Sequence, residues 1–343
     1  IRTSNIFFFP SVPDEFIYDF QRQRHLDIHT RPELNYDSIE YVASVEYMVR
    51  PPQPATYLFV LEATASAVAS GYIPRFARAM AESLADIPGD ARSMLGFLAF
   101  DRKLHFFNLN EDRPVHYVMP DIEGKRRSVL GELSLTSIHH LSDTFIPHTD
   151  AVLVNIKSRR KAIQHFLTQV LPTFPFDPTN AAGDSGIADQ EAALGAALQV
   201  AFKIISPSGG RITLVQTSLP AAGPKGDGSV LSNREDPNAR TANSAASTAA
   251  LTPLLNPATD FYKKLALECS EQQVTVDLFC LAADRYADLA TVGTVAKFSG
   301  GSIAYYGGGG GPSSPAAVGS MLARFEADMR HYLTRAIGSD GHL

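Results

Sequence analysis

A carboxylate and two hydroxyls stand at alternate positions in Glu62-x-Thr64-x-Ser66, directly after the apolar run Tyr57-Leu58-Phe59-Val60-Leu61. Oxygen donors of this kind suit a hard divalent ion such as Mg²⁺, which wants near-octahedral oxygen ligands at about 2.1 Å. The plainer reading is a polar loop whose side chains hydrogen-bond one another. The other chemistry-bearing residues are less suggestive. His139, His140 and His148 form the one histidine cluster, and their spacing matches no zinc signature. Cys269 falls in an expected helix and Cys280 in an expected strand, so both read as buried thiols rather than ligands. Neither a Gly-x-Ser-x-Gly elbow nor a Gly-x₄-Gly-Lys-Ser/Thr phosphate loop is present. The glycines at 307–311 carry no Lys and read as a connector. Asp277 lies inside an apolar strand and needs a partner there, either a backbone N–H or an Arg.

Two basic runs remain, Lys125-Arg126-Arg127 and the group Lys157, Arg159, Arg160 and Lys161. Such runs are usually solvated faces. Turned toward an anionic membrane, each near-surface charge would add about 1 kcal/mol of attraction. Over the whole chain the formal net charge is −6, so no global attraction to nucleic acid is indicated. Two cysteines are too few for a disulfide framework and suit a reducing compartment. No apolar run approaches the roughly 18 residues that cross a bilayer. The opening Ile1-Arg2-Thr3-Ser4-Asn5 lacks both an initiator Met and the layout of a signal peptide, which suggests an excised fragment of a cytosolic protein.

Positioning Glu62 requires a rigid strand. Five apolar residues without alternation, entered through a Pro-rich segment, suit a strand covered on both faces, and ligands of open α/β sheets sit beyond the carboxyl ends of such strands. Helical spacing of Ile73, Phe76, Ala77, Met80 and Leu84 follows. Residues 94–100 read as a second buried strand, 104–109 as its antiparallel hairpin partner and 115–119 as a further short strand. Helices are expected over 156–171 and 187–205, then a strand over 211–216. Residues 217–253, rich in Pro, Gly, Ala and Ser, read as a flexible insertion. Asn256-Pro257 reads as an N-cap followed by Pro at the first helical position of a helix running to 272. A strand over 274–281, a helix over 286–297, a strand over 302–306 and a last helix over 315–337 complete the alternation. Residues 1–50 read as an extended arm with a short edge strand near Ile39 and Tyr41. The expectation is an α/β doubly wound sheet over 51–338, mostly parallel, with one antiparallel edge strand and helices on both faces.

Glu62-x-Thr64-x-Ser66 resembles the Asp-x-Ser-x-Ser loop of von Willebrand factor A-type domains. That architecture also expects an acid after its fourth strand, where Gln216-Thr217-Ser218 stand here, so the resemblance implies a degenerate metal site at Glu62, Thr64, Ser66 and Gln216. Further segments are similar to the trunk domain of the cargo-adaptor subunit of the COPII vesicle coat. They are Arg31-Pro32-Glu33-Leu34-Asn35-Tyr36, VEYMVRPPQPATYLFVLEA at 45–63 and GGRITLVQTSLPAAGP at 209–224. Arg234-Glu235-Asp236-Pro237-Asn238, NPATDFYKKLALECSEQQVTVDLF at 256–279 and Tyr332-Leu333-Thr334-Arg335 complete the set. All six occur in the family's order.

The resemblance implies a von Willebrand A-like fold, no catalytic set and no cofactor in this piece, with zinc belonging to a finger upstream of it. It implies three contacts: the trunk of the coat's GTPase-activating partner subunit, the cytosolic tails of cargo, and an anionic membrane surface touched peripherally at endoplasmic reticulum exit sites and coated vesicles. Family members usually continue past Tyr332-Leu333-Thr334-Arg335 with Gly-Phe-Glu-Ala-Val-Met-Arg, whereas here Ile337-Gly338 runs into Ser339-Asp340-Gly341-His342-Leu343. Two other classes compete with a coat module. One is a metal-dependent ligand-binding A domain using Glu62, Thr64 and Ser66. The other is a hydrolase or transferase in the same crevice, for which the sequence offers no nucleophile–base pair.

Overall fold

Seven consecutive buried residues, Thr56–Glu62, form a strand enclosed on both sides, as an apolar run without alternation requires. The structure is a computed structural model that describes residues 2–5, 18–21, 23–25, 39–42, 53–111, 113–119, 152–174, 191–223, 226–234, 254–283, 285–307 and 315–336. The chain divides into two units, Ile1–Gln53 with Ile337–Leu343, and Pro54–Ala336. In the first, β1 (Arg2–Asn5) and β4 (Ile39–Val42) pair antiparallel, as do β2 (Tyr18–Asp19) and β3 (Arg24–His25).

The strand Thr56–Glu62 is β5, the middle of the second unit's sheet. Its companions are β6 (Met94–Phe100), β7 (Leu104–Asn108), β8 (Val115–Met119), β9 (Val154–Asn155), β10 (Gly210–Gln216), β11 (Val274–Ala283) and β12 (Ile303–Gly307). They lie in the order β12-β11-β10-β5-β6-β7-β8, with β9 paired to the start of β6. The five strands from β12 to β6 are parallel. The antiparallel edge expected from the hairpin is present and extends one strand further, because β8 pairs with β7 as β7 pairs with β6.

The helices are α1 (Ala65–Ser70), α2 (Tyr72–Ser83), α3 (Arg160–His165), α4 (Leu194–Ile205), α5 (Phe261–Glu271), α6 (Leu289–Phe298) and α7 (Pro315–Thr334). Because side chains alternate along a strand, β5 sends Leu58 and Val60 to one face of the sheet and Phe59 to the other. The first face is aliphatic: Leu58, Val60, Leu98, Leu214, Val276 and Leu278 pack under the alanines of α4 and under α5 and α6. The second face is aromatic. Phe59 meets Phe76 of α2 and Phe97 of β6, Phe97 meets Phe166, and Phe279 meets Phe325 and Tyr332 of α7. Small residues allow close helix–sheet approach on one side, and rings fill a deeper space on the other.

Three expected elements differ in detail. The helix expected over 156–171 is α3 followed by a π turn, Phe166–Val170, and a 3₁₀ turn, Leu171–Thr173, with Pro172 inside the last. The helix expected from 187 begins at Leu194, because the Ala193 N–H bonds to the Asp101 carbonyl and Ala192 bridges to Pro220; positions 187–190 lie outside the described residues. The Asn256-Pro257 cap does not form. The Asn256 carbonyl accepts from Arg234 Nη1 at 2.9 Å and the Ala258 N–H donates to Thr291 Oγ1 at 2.8 Å, so the helix starts only at Phe261. Tertiary bonds outcompete the local signal there.

The described part of the segment read as a flexible insertion is held in place. The Leu231 N–H bonds to the Pro220 carbonyl and Ser229 is fully buried, its carbonyl accepting from the Tyr262 hydroxyl at 2.6 Å. Arg234 closes the segment with a two-pronged ion pair to buried Asp288, at 2.5 and 3.1 Å. Residues 235–253 lie outside the described residues.

Candidate strand-end site

Strand order reverses beside β5: β6 follows it in sequence on one side, and β10 lies on the other. The carboxyl ends of β5 and β10 therefore frame the switch point where open α/β sheets hold ligands. Glu62 is the last residue of β5 and fully buried. Its side chain turns across this crevice and is anchored on both sides. Oε1 accepts from Thr64 Oγ1 at 2.7 Å, Thr217 Oγ1 at 2.9 Å and Ser218 Oγ at 2.5 Å. Oε2 accepts from the backbone N–H groups of Thr217 at 2.6 Å and Ser218 at 3.0 Å. Five donors thus surround one carboxylate, three of them hydroxyls and four of them on the two residues that follow β10.

Local structure fixes the loop as firmly. Thr64 is the N-cap of α1, its hydroxyl accepting from the Ala67 N–H at 3.3 Å. Since the Thr64 hydroxyl proton goes to Glu62, Ser66 must donate in the 3.1 Å contact between the two hydroxyls. The Tyr72 hydroxyl donates to the Glu62 carbonyl at 2.5 Å, and the Ala63 N–H reaches the Phe100 carbonyl on β6. Gly71 separates α1 from α2 with φ +76°, a left-handed conformation that glycine adopts without steric cost.

A divalent ion fits this donor set poorly. It would need carboxylate and hydroxyl lone pairs, but those of Glu62 and Thr64 are occupied by protons already in place. Gln216, the position where an acid is expected in metal-binding relatives of the fold, stays apart from Glu62. Its Nε2 donates to the Ser218 carbonyl at 2.7 Å, and its buried Oε1 has no partner. The ring of O–H and N–H groups takes the place of a cation's charge. Among the described residues no group of three His, Cys, Asp or Glu side chains is placed to hold a metal.

Thr217 and Ser218 are the residues that the sequence reading passed over. The signal was two hydroxyl residues in succession directly after a buried strand. The negative site also marks its surroundings. Burial pushes the Cys280 thiol on β11 up to about 12, with the Glu62 charge adding to it. Burial and the same charge push the Tyr72 phenol well above its ordinary value.

Asp277 has both of the partners expected for it. Oδ2 accepts from Arg211 Nη1 at 2.7 Å and the Tyr332 hydroxyl at 2.8 Å, while Oδ1 accepts from the Ser302 N–H at 2.7 Å and Oγ at 2.6 Å. Tyr332, from the Tyr-Leu-Thr-Arg segment, thereby ties α7 to β10 and β11, with Thr213 Oγ1 2.8 Å from its hydroxyl. Of the basic residues, Lys157, Arg160 and Lys161 are exposed and Arg159 half-buried at the start of α3. Lys125, Arg126, Arg127 and the histidines at 139, 140 and 148 lie outside the described residues, as do the glycines 308–311.

The family model described as Sec23/Sec24 trunk domain matches residues 52–308. The chain is 38% identical over 327 residues to human protein transport protein Sec24B, covering 95% of the chain and 22% of that protein. It is 34% identical over 333 residues to protein transport protein sec24 of Aspergillus niger, covering 97% of the chain and 32% of that protein. The crystal structure of the human COPII-coat protein Sec24c superposes with a TM-score of 0.70 at 25% identity, over 94% of this chain and 38% of that one. The chain therefore spans about a quarter to a third of the curated relatives it matches.

Proposed function

The chain belongs to the Sec23/Sec24 trunk domain family, and from that premise we propose that it is a non-catalytic adaptor module of the COPII coat. In this reading it binds the trunk of the coat's GTPase-activating partner subunit, contributes to holding the cytosolic tails of cargo, and works in the cytoplasm at the surface of the endoplasmic reticulum and its vesicles. The observation that carries the proposal is the similarity to Sec24 proteins along nearly the whole chain. The closed strand-end site supports it: where the fold usually receives a ligand, Glu62 joins β5 to the end of β10 by hydrogen bonds alone. A degenerate metal site that serves as a structural clasp leaves loops and edges to do the binding. No helix among the described residues is long and apolar enough to cross a membrane.

The exposed Lys157, Arg160 and Lys161, with Arg159 beside them, offer positive charge to anionic lipid in this reading. Flotation with liposomes of graded anionic content checks this contact: binding should rise with anionic lipid and fall with salt. The test of the central proposal is gel filtration with light scattering of the chain mixed with the partner trunk. Co-elution as one complex is expected, and elution as separate components would contradict the reading.

A further inference from the structure

Three side chains form a line of hydrogen bonds at the antiparallel edge, away from the strand-end site. His105 on β7 places Nε2 3.3 Å from Asp101 Oδ1 and Nδ1 3.0 Å from Nε2 of His116 on β8. The register explains the meeting. Phe107 is directly opposite His116, so His105, two residues earlier, lies diagonally across on the same face. Ring centres 5.2 Å apart with planes only 21° from parallel set the two imidazoles end to end. Phe107 lies alongside His116 at 5.3 Å, and Phe174 stands edge-on to His105, Phe107 and His116 at 5.1, 5.0 and 5.1 Å.

The proton count of this line is restrictive, because each neutral imidazole offers one N–H and one acceptor. Asp101 Oδ1 accepts from the Lys103 N–H as well as from His105, so the His105 proton sits on Nε2 and its Nδ1 accepts from His116 Nε2–H. One added proton on His105 Nδ1 reverses the second bond: His105 then donates to both neighbours, and His116 accepts with its own proton moved to Nδ1. A further proton puts N–H groups on both facing nitrogens and two positive charges on adjacent rings. The bond between the strands is then lost.

We propose that Asp101, His105 and His116 form a proton-operated latch that holds β8 on the sheet while His116 is neutral and releases it when His116 is protonated. His116 is exposed overall, but the face it turns to His105, Phe107 and Phe174 is covered; this partial burial, with the His105 charge adding, pushes it down to about 4. Since this lies below the ordinary histidine value, the latch is fully closed above about pH 6.5 and opens as the pH falls toward the lower value. Among the described residues the titratable groups facing His116 are His105 on β7 and, through it, Asp101 in the β6–β7 turn; Phe107 and Phe174 present uncharged rings. β8 is the element that yields because, among the described residues, it ends the sheet order and all five of its residues are half-buried or exposed, with Met119 alone packed against the core.

The test is NMR on the intact chain from about pH 7 to about pH 3.5, following the His116 ring nitrogens and the amide exchange of β8 normalised to intrinsic rates. His116 should titrate near 4, with β8 losing about tenfold or more of its protection between about pH 6.5 and that value and levelling off below it, while β10 and β11 keep theirs. His116→Phe, which keeps a ring beside Phe107 and Phe174, should remove the dependence. Titration of His116 near its ordinary value, or β8 protection unchanged between about pH 6.5 and about pH 4, overturns the proposal in the native chain alone. Dependence that survives in His116→Phe also overturns it, since the acid sensitivity would then not belong to His116.

Discussion

Glu62 shows how one methylene changes what a loop can do. A shorter aspartate would keep its carboxylate on the β5 side of the crevice. Glutamate reaches the two N–H groups and two hydroxyls at the end of β10. Glu62→Ala strands these buried donors and should cost about 2–4 kcal/mol in denaturant unfolding, given that bonds to a charged group are worth about 1.5–3 kcal/mol each and are not additive. Ser66→Ala removes a single donor to Thr64 and should cost less than about 1 kcal/mol. Near-equal losses from the two substitutions would contradict the clasp. The cysteines give a second residue-scale prediction. Burial raises both thiols to about 12, with Glu268 adding at Cys269 and Glu62 at Cys280. Neither should react with a maleimide at neutral pH until the chain unfolds. Much of this was legible in sequence: Glu62, Thr64 and Ser66 were picked out from their spacing, and Asp277 from its apolar surroundings. Thr217 and Ser218 were not, because their role depends on a strand pairing across more than 150 residues that no local pattern encodes.

Elements are joined here by buried charge. Glu326 on α7 is met by Arg75 of α2 at 2.8 Å and by Arg330 of its own helix at 2.6 Å, with Arg330 continuing to Glu82 of α2. Burial alone would push the Glu326 carboxyl up, but the Arg75 hydrogen bond and the charges of Arg330 and Arg78 outweigh it and hold the group below the ordinary carboxylate value. Its contribution to stability is therefore complete above the unfolded-state value and disappears as pH falls through the lower folded one. Glu326→Gln should flatten the acid limb of the stability–pH curve, measured by thermal unfolding between about pH 3 and 6. Tyr332→Phe removes the hydroxyl that links α7 to Asp277 and Thr213 and should cost about 1–2 kcal/mol. The sequence located strands better than helix ends. β6 matched at both ends because apolar composition defines a buried strand. The starts of α4 and α5 moved because Ala192, Ala193, Asn256 and Ala258 are claimed by distant partners.

The whole sheet combines a fold suited to ligand binding with a crevice joined across its mouth. The family resemblance and the buried β5 strand together foretold the parallel sheet, its antiparallel edge and its two helical layers, all of which are present. Composition marks residues 217–253 as flexible because small polar residues carry no local pattern, yet in their described part Ser229 and Arg234 find buried partners in α5 and beside α6; residues 235–253 lie outside the described residues. If the strand ends serve only as a clasp, the proposed association with the coat's GTPase-activating subunit must be indifferent to divalent ions. Calorimetric titration of the chain with the trunk of the GTPase-activating subunit, once with magnesium and once with EDTA, puts this to the most direct trial. Equal affinities in both buffers are the predicted result. Absence of binding, or binding that appears only with magnesium, would contradict the account.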